Sequence, residues 1–132
     1  LSYSEGAFIA KEDLKSTFLQ IRAPYKMPVF VLDKENLMSS FYGLSGLQDI
    51  DFKEHPDFSK RFFLSGEDKK GIRSFFTDDL IFFFESHPLY YIESKGDSLL
   101  IRGKERLASI QEIKQMLAFA EQLIKLLKGK KT

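Results

Sequence analysis

The chain has 132 residues, 43% of them hydrophobic, and its 20 Lys and Arg against 19 Asp and Glu leave a formal net charge of +1. That length suits one domain with its own core, and the near-balance of charge lacks the basic excess by which proteins hold phosphates, so no nucleic-acid partner is expected. The absence of cysteine excludes disulfides, thiolate nucleophiles and thiolate zinc sites and leaves the redox compartment unmarked.

The N-terminal part reads as short strands. Residues 7–10, 17–22 and 29–32 are brief runs rich in aromatic and β-branched side chains, a spacing that favours antiparallel pairing. Pro24 and Pro28 bracket Tyr25-Lys26-Met27 and have no N–H to give a ladder, which predicts a loop or sheet edge there. Residues 36–46, with Ser39-Ser40, Gly43 and Gly46, read as loop. Ile50 and Phe52 alternate with Asp49 and Asp51, predicting a strand over 48–53, and a further apolar run is expected from Phe58 to Leu64 after His55-Pro56.

Helical signals begin beyond Asp68. Ile72, Phe75 and Phe76 keep a three-to-four spacing, and Thr77 followed by Asp78 and Asp79 is an N-cap with a dipole-complementing first turn for a second helix that His87-Pro88 stops. Lys95-Gly96-Asp97 between apolar runs at 89–93 and 98–102 predicts a hairpin. Ser109-Ile110-Gln111-Glu112 is a capping box opening the C-terminal helix, whose core face is read as Ile110, Ile113, Leu117, Ala120, Ile124 and Leu127, with Gly129 as its end. Nine of the 20 basic side chains, but four of the 19 acidic ones, lie in residues 95–132, so the C-terminal end is the basic end; lysines there suit the helix dipole, with attraction to anionic lipid as the rival reading.

Fourteen phenylalanines, bunched as Phe62-Phe63, Phe75-Phe76 and Phe82-Phe83-Phe84, predict a dense aromatic core, because Phe adds apolar area and no hydrogen-bonding group. Three consecutive helical side chains point about 100° apart, so Phe82, Phe83 and Phe84 cannot all enter one groove; Phe82 is a candidate partner-binding ridge, and the alternative is that a second layer of the same domain covers it. Asp49, Asp51 and His55 form a second candidate site, two carboxylates and an imidazole of the kind that holds a divalent cation; the alternative is solvated acids on a strand face and a turn histidine. No serine sits in a nucleophile-elbow pattern and no glycine run forms a phosphate cradle. No catalytic residue and no cofactor are therefore nominated.

The segment Gly46-Leu47-Gln48-Asp49-Ile50-Asp51-Phe52, His55-Pro56-Asp57-Phe58-Ser59, Phe63-Leu64-Ser65-Gly66-Glu67-Asp68, Ile72-Arg73 and Phe75-Phe76-Thr77 resembles a family of bacterial membrane-anchored proteins of unknown function, over roughly residues 44–128. The resemblance implies transmembrane helices ahead of a soluble, cytoplasm-facing α+β domain that ends in a hairpin and a helix, and it implies no activity. It agrees with a chain that starts at Leu1, carries neither a secretory signal nor a bilayer-length apolar run, and is read as an excised soluble piece.

The expected architecture is one α+β domain over residues 1–132, an antiparallel sheet of about six strands with a helical pair and a long C-terminal helix packed on it. The expected function is a non-enzymatic interaction module acting through protein contacts near Asp49 to His55 or at Phe82. The alternative is a metal-binding or metal-dependent hydrolytic domain on Asp49, Asp51 and His55. A third reading is a small-ligand binder, whose sign would be a cavity lined by aromatic and convergent polar groups.

Overall fold

Gly96 is the only residue with positive φ, +96°, among those that the computed structural model describes, namely residues 8–12, 16–34, 50–104 and 106–130. It turns β5 (Tyr91–Ser94) into β6 (Ser98–Arg102), a backbone angle that a side chain would strain. These two strands form the centre of a six-stranded sheet in the order β1-β2-β6-β5-β3-β4, antiparallel throughout, with β1 (Phe8–Glu12) and β2 (Thr17–Arg22) on one side and β3 (Val31–Lys34) and β4 (Phe62–Ser65) on the other.

Register decides which side chains meet. Leu19 pairs with Ile101, Ile101 with Ile92, Ile92 with Leu32 and Leu32 with Leu64, an apolar row across five strands on the core face. One residue along, the opposite face carries Phe18, Arg102 and Tyr91 in register, with the guanidinium 5.8 Å from the first ring and 4.7 Å from the second. The connection from β2 to β3 must cross the ends of β6 and β5, and it is bonded to the hairpin tip: Ala23 N donates to Asp97 O, Met27 N to Gly96 O and Ser94 N to Phe30 O, while the Ser94 hydroxyl donates to Pro28 O. This is where the two prolines belong, on a path round the sheet's end that asks nothing of their missing amides.

The core face is covered by helices. Asp68 caps α2 (Lys69–Phe75) by accepting from Gly71 N, and Thr77 caps α3 (Asp78–Glu85) by accepting from Leu80 N. The long α4 (Ile110–Lys130) opens on the predicted capping box, with Ser109 N donating to Glu112 Oε1 and Glu112 N to Ser109 Oγ. A chain of ring contacts, Phe52 to Phe58 to Phe62 to Phe84 to Phe119 to Tyr90, runs through the helical layer. Phe58, fully buried, contributes about 1.5–3 kcal/mol by its removal from water alone. The α+β class, the antiparallel sheet, the helical pair and the C-terminal helix are as read from the sequence.

Several details differ. Residues 50–53 are not a strand: Ile50 N makes one bond to Leu64 O and the chain turns, His55 N donating to Phe52 O. Phe58 lies in a helix, α1 (Pro56–Arg61), rather than an extended run. Proline at the first helical position, Asp57 in the first turn and Lys60 and Arg61 in the last suit a helix, and the four-residue spacing stacks Phe58 on Phe62 at 4.8 Å. In α4 the buried face is Ile113, Met116, Phe119, Ala120, Leu123 and Leu127, while Ile110 is 72% exposed and Leu117 and Ile124 are half-buried. The rings of Phe83, Phe84 and Tyr90 gather Phe119 inward and so turn the helix, which continues through Gly129. The strand expected over 7–10 is Phe8–Glu12, that over 29–32 is Val31–Lys34 and that over 89–93 is Tyr91–Ser94; the loop expected over 36–46 lies outside the described residues.

Candidate functional site

Two of the nominated residues meet. His55, the residue before the proline of α1, sits edge-on to the Phe82 ring at 5.5 Å between centroids, and its Nε2 lies 2.8 Å from Asp78 Oδ1. A carboxylate only accepts, so Nε2 carries the hydrogen. Asp78 and Phe82 are four apart on α3 and share one helix surface, which is why one imidazole touches both. At the other end of the same helix pair, Arg61 Nη1 donates to Glu85 O at 3.1 Å. Phe82 therefore stands between two polar links from α1 to α3, and it is 57% exposed while Phe83 is half-buried and Phe84 buried.

The other nominated positions are placed differently. Asp51 is exposed, and its backbone oxygen accepts from Arg73 Nη1 at 2.7 Å; that guanidinium also lies 5.5 Å over the Phe52 ring. Asp49 lies outside the described residues, and so does the Gly43-Leu44-Ser45-Gly46 segment. Among the described residues no group of three or more His, Asp or Glu is gathered as metal ligands would be, and His55 directs its Nε2 at Asp78. The second histidine is a clamp: His87 Nδ1 donates to Phe83 O at 2.7 Å, its Nε2 lies 2.9 Å from Gln122 Oε1, and its ring lies against Phe83. It ties the end of α3 to α4.

Sequence reasoning missed Asp78, whose place in a helix's first turn already explained its charge. It also missed a cavity of about 230 Å³ where β6 ends, beside Tyr90, Lys104, Arg106, Glu112 and Met116. The capping box identified Glu112, but nothing in the local pattern said that Arg106 and Lys104 converge on it.

These features define an α+β module with an exposed aromatic framed by two hydrogen bonds. No family model, no curated protein and no solved structure matches the chain. Among the described residues no helix is long and apolar enough to cross a membrane.

Proposed function

We propose that the chain is a non-catalytic interaction module of a membrane-anchored bacterial protein, and that it binds a protein partner through Phe82 and its frame. The observation that carries this reading is the 57% exposure of Phe82 in a helix whose neighbouring rings are drawn into the core. Its surroundings have the anatomy of an interface hot spot, an aromatic anchor inside a polar rim. His55 holds one ring edge and thereby limits the rotamers that a partner would otherwise have to freeze. The partner implied is a protein with an apolar pocket for one aromatic side chain, rimmed by groups that complement Asp78 and Arg61. The anchor to the membrane is supported by the family resemblance of the middle segment.

The test compares the wild type with Phe82→Ser as baits against detergent-solubilised membrane proteins. Truncating a hot-spot aromatic costs about 2 kcal/mol or more, so a partner's Kd rises roughly 30-fold and its recovery collapses, with the thermal midpoint of the domain little changed. Equal recovery of every captured protein by both baits removes the Phe82 surface from consideration.

A further inference from the structure

The cavity at the end of β6 shares no residue with the Phe82 surface. Its apolar wall is formed by Leu89, the Tyr90 ring and Met116, and the loop after β6 is fastened to β2 where Ala108 N donates to Thr17 Oγ1 at 2.9 Å. Gly103 opens onto it: a Cβ there would stand 3.5 Å from the Tyr90 ring and 4.0 Å from Met116 Sδ.

The polar groups are not equally engaged. Glu112 is saturated, since Oε1 accepts from Ser109 N at 2.8 Å and Arg106 Nη1 at 3.0 Å, and Oε2 accepts from Arg106 Nη2 at 2.8 Å and faces Lys104 Nζ at 3.5 Å. Tyr90 Oη, on a residue 9% exposed, has no hydrogen-bond partner among the described residues. Lys104, which lines the cavity, has only the long contact to Glu112, so its ammonium keeps donors free. Among the described charged groups here, two cations face one carboxylate, an excess of one positive charge. The open capacity is thus for donation and for one negative charge, next to apolar surface. Burial and the nearby Glu112 carboxylate both push the Tyr90 phenol above its ordinary range, which keeps it protonated and donating at neutral pH.

We infer that this cavity binds a small organic monoanion, a carboxylate on a short apolar body, with Lys104 as its counter-ion, Tyr90 Oη donating to a carboxylate oxygen and the body lying on Leu89 and Met116. The cavity is smaller than the ~300 Å³ at which drug-sized sites begin, so the ligand is compact. A hydrophobic wall with a few convergent polar groups is the usual construction of such sites.

The experiment is an NMR titration of the whole chain with benzoate, and in parallel with benzamide, which keeps the shape without the charge, and benzylamine, which reverses it. Saturable shifts are expected for benzoate, centred on residues 88–90, 103–108 and 112–116. Lys104→Gln and, independently, Tyr90→Phe are each expected to weaken it about tenfold, the scale of one hydrogen bond to a charged group. Tyr90→Phe keeps the ring that packs 4.8 Å from Phe119, so it preserves the fold. The inference is overturned if benzoate does not saturate, if its shifts centre elsewhere, if both variants bind it as the wild type does, or if benzamide or benzylamine binds as tightly.

Discussion

Gly66, at the exit of β4, is set by contact. A Cβ on it would lie 2.5 Å from the Val29 carbonyl oxygen and 2.5 Å from Ile72 Cδ1, closer than packed atoms approach, and one of the two obstacles is backbone. Gly66→Ala is therefore expected to destabilise by about 1–3 kcal/mol, as overpacking does, read as a lower urea midpoint with an unchanged slope. A midpoint equal to or above that of the wild type would show that the strand exit relaxes freely. His55 illustrates the same scale differently. Its candidacy was visible in the sequence beside Asp51, but its actual partners, Asp78 and Phe82, stand 23 and 27 positions away. Only the packing of α1 on α3 joins them, and no local spacing encodes that.

At the level of elements, the N-terminus of α4 has the clearest pH consequence. The Ser109 amide, then the Arg106 guanidinium, hold the Glu112 carboxyl down to about 2 from an ordinary 4.5, so the folded chain binds that proton less tightly than the unfolded chain. The stabilisation is complete above about pH 4.5 and drains away as the pH falls toward about 2. Thermal midpoints measured across that window should fall less steeply in Glu112→Gln than in the wild type, and parallel curves would show that the carboxylate contributes nothing to folding. That element was legible because its signals are local: a serine and a glutamate three apart, then an amphipathic run. The orientation of α4 was less so, since Met116, Phe119 and Leu123 were drawn inward by rings on α3 and β5's approach. The helix α1 was misread as extended for a related reason. Phe58, Phe62 and Phe63 satisfy either period, and the proline and charge signals that favour a helix occupy only six residues.

For the whole molecule, the strands at 17–22 and 98–102 were readable to the residue, and so was the hairpin turn, because alternation and turn glycine are short-range properties. The order β1-β2-β6-β5-β3-β4 was not, since it depends on which apolar rows find one another across the chain. That order makes a prediction. A fragment ending at Pro88 keeps the sequences of β1–β2 and β3–β4 but lacks both strands that lie between them, so its amides over 17–22 should exchange with solvent almost as fast as those of an unfolded chain. Strong protection there would mean that the N-terminal hairpin stands alone.

The stitching of residues 23–30 to the hairpin tip carries this further. The Pro28 carbonyl is held by a hydroxyl 66 positions later, so the path round the sheet's end closes only once Ser94 is in place. A contact of such long sequence separation carries a loop-closure cost and slows folding. Apolar surface that waits on so distant a partner is open to other chains while it is uncovered.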